Sequence, residues 1–152
     1  MNPSVYIETT IPSYLTAWKN STNQEVTRIW WETVRSRFDL FISGIVIQEV
    51  SGGDPQSAKR RLIAIEGLPV LDVSQEAEWL AIQLLEGAAL PEKAKIDALH
   101  IAVATVHGID YLLTWNCKHI ANAMMRLKIE IICRTAGYEP PVICTPLELM
   151  EN

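Results

Sequence analysis

The sequence predicts an α/β fold in which helices cover both faces of a parallel sheet. Two observations predict it. Short apolar strands alternate with helices along the whole chain, which is the pattern of parallel strands joined by helical crossovers. The composition, with 49% hydrophobic and 20% charged residues, is that of a globular domain with enough apolar material for a core. We therefore expect residues 1–152 to form a single domain.

Hydrophobic periodicity and breaker residues divide the first half of the chain into elements. The sequence SGGDP at residues 51–55 is a break followed by a new helix start. The predicted elements are a strand at 5–7, a helix at 23–37, a strand at 40–43, one or two helical turns at 44–50, a helix at 56–66 and a strand at 69–72.

The second half continues the same alternation. Ser74 is a typical N-cap residue for a helix that runs to about residue 87. The clearest helical pattern covers residues 91–107, where apolar residues recur at helical spacing and Gly108 provides the stop. The remaining predicted elements are a strand at 111–114, a helix at 118–134 and a strand at 142–144.

Charge and cysteine usage exclude several classes of protein. The net charge of −5 argues against a protein that coats nucleic acid by bulk electrostatics, although it allows a local basic rim. The only tight basic cluster is Lys59, Arg60 and Arg61, which we interpret as a solvent-exposed helix face. The three cysteines lack a C-x-x-C pair and are odd in number, so we expect reduced thiols, with neither a disulfide framework nor a zinc site.

The chain carries no sequence features of membrane insertion or export. No apolar run approaches the roughly 18 residues that span a membrane. The N-terminus also lacks the basic start and long apolar stretch of a signal peptide. We therefore expect a cytoplasmic protein without a membrane partner.

Four polar residues lie where the functional crevice of a parallel sheet is found, beyond the carboxyl ends of the strands. Glu8 ends an apolar strand, where an uncompensated carboxylate is costly. Glu49 follows the second strand through a short segment, Asp97 lies near the start of the strongest helix, and Asn116 follows the strand at 111–114. We expect their oxygen atoms to converge on one edge of the sheet.

Each of these residues also has an ordinary structural interpretation. Glu8 and Glu49 can be surface acids, Asp97 can interact with a helix macrodipole, and Asn116 can be a turn residue. Their joint placement favours a functional site.

Neighbouring polar residues have two interpretations each. The hydroxyls of Thr9, Thr10 and Thr114 can orient an attacking water or a phosphate, or they can be structural. Lys95, two residues before Asp97, can approach the phosphate, but a solvent-exposed lysine is favoured. His100 lies one helical turn after Asp97, and a packing or hydrogen-bonding role is favoured over a ligand role, because hard cations rarely use imidazole.

The sequence resembles a known family at four places in order. These are the segments VYIETTIPSYL, IVIQEVSGG, KAKIDALHIAVA and YLLTWNCKHIANA. Together they resemble the PIN domain, in the branch of the VapC-like toxins of bacterial toxin–antitoxin pairs, over nearly the whole chain. The resemblance implies a three-layer domain with a roughly five-stranded parallel sheet, an acidic pocket and metal-dependent ribonuclease activity.

The resemblance also implies roles for the four polar residues. The family's first acid, usually Asp, corresponds to Glu8, its second to Glu49, its third to Asp97 and its fourth to Asn116. Glu8 keeps the charge on a longer arm, whereas Asn116 keeps an oxygen and loses the charge. The expected cofactor is Mg²⁺ or Mn²⁺, held by Glu8, Glu49 and Asp97, since these ions prefer hard oxygen ligands.

Three classes of function follow. The first is an endoribonuclease that acts on RNA as the toxin of a type II pair, with an antitoxin protein as partner. It is expected to be a homodimer, from the resemblance and from the surplus of aromatic residues. The alternative is a catalytically degenerate PIN-like module that binds RNA or a protein. A different doubly wound enzyme is disfavoured, because D-x-D-x-T, G-x-G-x-x-G and Walker motifs are absent from the sequence.

Overall fold

The computed structural model describes residues 1–88 and 90–150. Within them, five strands form one sheet in the order β3-β2-β1-β4-β5, and every neighbouring pair is parallel. The strands are β1 (Ser4–Ile7), β2 (Asp39–Ser43), β3 (Val70–Leu71), β4 (Tyr111–Leu113) and β5 (Val142–Cys144). The predicted parallel α/β sheet is thereby confirmed. Residues 89, 151 and 152, which the single-domain prediction includes, lie outside the described residues.

Helices connect the strands. They are α1 (Thr10–Leu15), α2 (Thr22–Ile29), α3 (Gly44–Val50), α4 (Pro55–Ile65), α5 (Gln75–Gly87), α6 (Lys95–Val106) and α7 (Ala123–Thr135). The side chains of Ser21, Asp54, Ser74 and Asn122 accept backbone N–H groups at the starts of α2, α4, α5 and α7. Each of these caps satisfies donors that a helix N-terminus leaves free.

The core is centred on β1 and α6. Val5, Tyr6 and Ile7 of β1 are fully buried, as expected for the central strand of a sheet covered on both faces. The middle of α6 is buried nearly all round, from Ala98 to Thr105 with only Leu99 partly exposed. Ile96 at the start of α6 is exposed.

Three predicted helices differ from the observed ones. The helix predicted at 23–37 is α2 followed by a π turn (Trp30–Val34) and a 3₁₀ turn (Arg35–Arg37). The helix predicted at 91–107 starts with a 3₁₀ turn (Glu92–Ala94) before α6. The helix predicted at 118–134 begins only at Ala123, since Asn122 caps it. α1 was not predicted, because its TIPSYL sequence contains a proline and is a single short run.

The strand order places the candidate residues. After β1, the chain adds β2 and then β3 on one side of β1, and it then adds β4 and β5 on the other side. The strand order therefore reverses between β1 and β4. In open parallel sheets the crevice beyond the carboxyl ends at this reversal is where ligands bind. Glu8 directly follows β1, and Thr114 directly follows β4.

The structure bears on the predictions made for membrane insertion and for the cysteines. None of the helices in the described part of the chain is long and apolar enough to cross a membrane. Cys117 is exposed, and Cys133 and Cys144 are buried, and all are free thiols, as predicted.

Candidate active site

Glu8 is a buried carboxylate held through one of its two oxygens. Its side chain is only 3% exposed. Its Oε1 accepts hydrogen bonds from the backbone N–H of Thr10 at 3.0 Å, the hydroxyl of Thr10 at 2.5 Å and the hydroxyl of Thr114 at 2.7 Å. The cost of burying this acid, which the sequence left open, is therefore offset in part by hydrogen bonds.

The two threonine hydroxyls are oriented by the segment that follows β4. The hydroxyl of Thr10 accepts the N–H of Trp115 at 2.8 Å, and that of Thr114 accepts the N–H of Asn116 at 3.0 Å. Since a hydroxyl has a single proton, these acceptor bonds leave both protons to point at Glu8. In this structure Thr114 thus orients a carboxylate, and its predicted contact with water or phosphate stays a prediction.

Burial has the largest influence on the pKa of Glu8. Desolvation raises the pKa of this carboxyl, and the nearby charge of His100 and the hydrogen bonds from Thr10 and Thr114 lower it only in part, so the net shift is upward. An ionised Glu8 is therefore under-compensated by the protein alone. A cation beside it would supply the missing compensation.

Glu49 lies near the end of α3 and faces Glu8. Its Oε1 accepts the hydroxyl of Thr9 at 2.5 Å and the Nε2–H of His100 at 2.6 Å. Partial burial raises the pKa of Glu49, but the hydrogen bonds from His100 and Thr9 and the charge of His100 outweigh it, and the net shift is downward. The pKa values of the two carboxyls are therefore shifted in opposite directions, that of Glu8 upward and that of Glu49 downward.

Both carboxylates leave their second oxygen free. Within residues 1–88 and 90–150, no group donates a hydrogen bond to Oε2 of Glu8 or of Glu49. No fully enclosed side-chain oxygen in those residues lacks a partner, so the Oε2 of Glu8 must reach solvent. Two free carboxylate oxygens at one opening are the hard donors that Mg²⁺ and Mn²⁺ prefer.

A third residue completes this group. One ligand atom each from Glu8, Glu49 and His100 lie within 4.8 Å of one another. His100 is fully buried, and its Nδ1 lies 2.6 Å from the hydroxyl of Tyr6, which in turn lies 2.8 Å from the hydroxyl of Ser43. His100 thus has the hydrogen-bonding role that its position on α6 predicted.

Asp97 and Asn116 form a second, adjoining group with His119. The Nδ2 of Asn116 donates to Oδ1 of Asp97 at 3.1 Å, and Nδ1 of His119 lies 3.0 Å from Oδ2 of Asp97. The amide oxygen of Asn116 accepts the backbone N–H of His119 at 3.1 Å. Asn116 therefore acts in this structure as a bridge between Asp97 and the turn after β4.

The four predicted residues are thus divided between two groups. Glu8 and Glu49 lie together, whereas Asp97 is not a member of their group in the described part of the chain. The groups adjoin, because Thr114 donates to Glu8 and accepts from Asn116, and because Asp97 and His100 are one turn apart on α6. Each carboxylate oxygen of Asp97 keeps a lone pair that its contact with Asn116 or His119 does not use, so Asp97 can still accept a further partner.

The basic cluster on α4 has structural contacts. Arg61 donates to the carbonyls of Val50 and Gly52, at the end of α3 that carries Glu49. Arg60 stacks over the ring of Trp18 at 4.1 Å. Lys59 is exposed, as interpreted, whereas Arg60 and Arg61 are only partly exposed because they make these contacts.

Sequence reasoning missed Tyr6, Ser43 and the pairing of His119. Tyr6 looked like an ordinary strand residue, and Ser43 like a strand end. A tyrosine inside a buried strand is a weak signal for a partner, because its hydroxyl must be satisfied when buried. The pairing of His119 has no sequence signal, since nothing in the sequence shows that the turn folds back onto α6.

Comparison with known proteins gives a family match and structural matches. The family model of the PIN domain matches residues 5–116. The structure of VapBC2 from Rickettsia felis bound to a DNA fragment from its promoter matches with a TM-score of 0.58 and 18% identity, over 93% of this chain and 98% of the other. No curated protein gives a significant sequence match.

Two further solved structures are similar. VapC20 of Mycobacterium tuberculosis, described as a Sarcin-Ricin loop cleaving toxin, has a TM-score of 0.56 and 17% identity, over 71% of this chain and 86% of the other. FitAB bound to an IR36 DNA fragment has a TM-score of 0.61 and 13% identity, over 97% of this chain and 99% of the other. At these identities the likeness is one of fold.

Proposed function

The chain belongs to the PIN-domain family, and on that premise we propose that it is a divalent-metal-dependent endoribonuclease, the toxin of a type II toxin–antitoxin pair. One observation carries the proposal: Glu8 and Glu49 meet at the strand-order reversal with both Oε2 atoms free of hydrogen-bond donors from the described residues. A pair of acids in this state is suited to a cation and ill suited to a purely structural role.

The proposed ligands of Mg²⁺ or Mn²⁺ are Glu8, Glu49 and Asp97. Such an ion supplies the positive charge that a scissile phosphate and an attacking water require. Mg²⁺ typically takes one or two carboxylates and keeps several waters, so this donor set is sufficient. No nucleophilic side chain is needed.

The other residues of the site hold these carboxylates in place. Thr10 and Thr114 fix Glu8, and Thr9 and His100 fix Glu49. Asn116 fixes Asp97. Preorganised ligands lower the entropy cost of binding, which is how a site with only three acids can retain an ion.

The proposed partners are an RNA substrate, an antitoxin protein and a second copy of the chain. The similar structures of VapBC2 and FitAB were determined bound to DNA fragments, and VapC20 is described as cleaving the Sarcin-Ricin loop. The shared fold and family make an RNA target and an antitoxin reasonable for this chain. A cytoplasmic location belongs to the same proposal.

A catalytically degenerate module is the second candidate. The observation that favours it is the engagement of Asp97, whose two oxygens contact Asn116 and His119, and the loss of the fourth acid at Asn116. In this alternative the second group is a structural clasp between α6 and the turn after β4.

Calorimetric titration with Mn²⁺ followed by an RNA cleavage assay separates the two. The nuclease should bind Mn²⁺ and cleave RNA only when the ion is present. Glu66→Gln is a control protein, since it removes an exposed acid after α4, away from the site. It should bind Mn²⁺ and cleave RNA like the wild type. Mn²⁺ binding without cleavage would favour the module, and no binding at all would refute the metal-dependent nuclease.

A further inference from the structure

A chain of hydrogen bonds runs through the core to Glu49. It starts at the hydroxyl of Ser43, passes 2.8 Å to the hydroxyl of Tyr6, 2.6 Å to Nδ1 of His100 and 2.6 Å from Nε2 to Oε1 of Glu49. Ser43, Tyr6 and His100 are all fully buried. This series of hydrogen bonds therefore links the end of β2, the central strand and α6 to the carboxylate on α3.

The contact between His100 and Glu49 determines which ring nitrogen of His100 carries a proton. A ring nitrogen without a proton would place its lone pair 2.6 Å from the Oε1 of Glu49, which is repulsive when that carboxylate is ionised. An ionised carboxylate has no proton of its own and can only accept in this contact. Nε2 of His100 therefore carries a proton and donates it to Glu49, in either protonation state of the ring.

The other end of the ring is held by Tyr6. In the neutral ring, Nδ1 is an acceptor, and the hydroxyl of Tyr6 is its donor. A phenol ordinarily loses its proton only near pH 10, so at neutral pH this hydroxyl has a proton to donate. Ser43 can then donate to the Tyr6 oxygen, and the buried polar side-chain atoms of Ser43, Tyr6 and His100 all have partners.

We propose that Ser43, Tyr6 and His100 are positioning residues that hold Glu49 with its Oε2 free for the divalent ion. The inference rests on the proposed metal-dependent function. Glu49 is 36% exposed, and a half-exposed glutamate has several rotamers unless it is held. Outer hydrogen bonds to ligating carboxylates commonly serve this purpose.

The alternative is that His100 itself binds the ion through Nε2. The two roles differ in where the ring proton lies when the ion is bound. A positioning His100 keeps the proton on Nε2, whereas a ligand His100 must lose it from Nε2. The chain has only three histidines, so ¹⁵N-labelled ring signals can be assigned by substitution of each.

The first experiment is nitrogen NMR of the histidine rings with and without Mg²⁺. We expect the Nε2–H signal of His100 to persist after Mg²⁺ saturation. Loss of the Nε2 proton on adding Mg²⁺ would overturn the positioning role and identify His100 as a ligand.

The second experiment is Mn²⁺ calorimetry on Tyr6→Phe, which removes only the hydroxyl that holds His100. We expect Mn²⁺ affinity to fall about tenfold, the lower end of the usual effect of outer-shell changes. Tyr111→Phe is the matched control, because the hydroxyl of Tyr111, on the neighbouring strand, makes no hydrogen bond with residues 1–88 or 90–150. This variant should bind Mn²⁺ like the wild type.

Two further outcomes keep the test decisive. If Tyr6→Phe fails to fold, His100→Gln and His100→Leu take its place. The Gln amide can donate a hydrogen bond to Glu49 as Nε2 does, whereas Leu cannot. His100→Gln should therefore bind Mn²⁺ more tightly than His100→Leu. Equal Mn²⁺ affinity in the variants and the wild type would overturn the positioning role while leaving the proposed function intact. A wild-type protein that binds no Mn²⁺ would overturn both.

Discussion

Asp97 is the residue whose role differs most between the two proposed functions. As a metal ligand it acts through its charge, and as part of a clasp it acts through its hydrogen bonds to Asn116 and His119. Asp97→Asn removes the charge and keeps an acceptor oxygen. Residue-scale chemistry can therefore separate the roles.

We predict that Asp97→Asn abolishes RNA cleavage and weakens Mn²⁺ binding while leaving the fold intact. Asp and Asn have similar helix propensities, and the lost macrodipole interaction at the start of α6 is worth about 0.3–1 kcal/mol. Asn keeps only one acceptor oxygen, so one of the contacts with Asn116 and His119 is also weakened. Chemical denaturation should therefore show about 1–2 kcal/mol of destabilisation. Full cleavage by the purified variant would contradict the proposal.

Glu8→Gln tests the buried carboxylate. Its raised pKa means that the proton binds more tightly in the folded state than in the unfolded one. The stability that Glu8 contributes is thus fully present below its unfolded pKa, about 4.3, and is lost as the pH rises through the higher folded pKa. In metal-free buffer, wild-type stability relative to Glu8→Gln should fall as the pH increases.

Thermal melts of both proteins at several pH values measure this difference. At neutral pH without metal, Glu8→Gln should melt at or above the wild-type temperature. Saturating Mn²⁺ should raise the wild-type melting temperature and leave that of the variant unchanged, because an ion stabilises only a folded state that binds it. A wild type that gains stability over the variant with rising pH in metal-free buffer would show that Glu8 is already compensated.

At the scale of elements, the segment between β4 and α7 decides how the second group is built. The backbone N–H groups of Ile120 and Ala121 donate to the carbonyl of Asn116, which forms a tight turn before the Asn122 cap. The turn brings His119 back onto Asp97. A helix running from residue 118, as the sequence predicted, would place His119 elsewhere.

Asn116→Asp tests this segment. The Nδ2 of Asn116 lies 3.1 Å from Asp97, so the substitution places two carboxylates in contact. We predict a metal-free destabilisation of about 1–2 kcal/mol, a common size for a single substitution, which is about 2–8 °C of melting temperature. Mn²⁺ should restore the stability and bind more tightly than to the wild type, because a fourth carboxylate raises the negative potential.

Asn122→Asp is the control for that variant. It adds the same charge six residues later, at the N-cap of α7, where Asp caps as well as Asn. Its melting temperature and Mn²⁺ response should match the wild type. If Mn²⁺ shifts the melt of neither the wild type nor Asn116→Asp, the pocket is not a cation site, and the binding-module alternative takes over.

At the scale of the whole molecule, we predict a homodimer. Several large apolar side chains are exposed in the single chain, including Met124, Leu127 and Ile131 along α7. Contiguous exposed apolar surface is typical of interaction sites. Light scattering at micromolar concentration should give about twice the 17.1 kDa mass of one chain, and a mass of one chain would contradict the prediction.

The sequence predicted the sheet well because strand signals are local. The strand at Val142–Cys144 and the short helix at Gly44–Val50 were predicted with their observed bounds, and Ser74 caps α5 as expected. Errors occurred where tertiary contacts override local periodicity. Trp30 is fully buried and stacked on Phe38, and its packing accompanies the π turn that interrupts the predicted helix.

For the site, the sequence by itself determined which residues lie at the carboxyl edge of the sheet, because strand ends and parallel topology together fix that edge. Glu8, Glu49, Asp97 and Asn116 all lie there. Only the tertiary structure decided their grouping, in which Glu8 and Glu49 meet at His100 while Asp97 and Asn116 meet at His119. The physical reason is that hydrogen-bond partners depend on side-chain direction and on turns that fold back across the sheet, and neither is encoded in the spacing of residues along the chain.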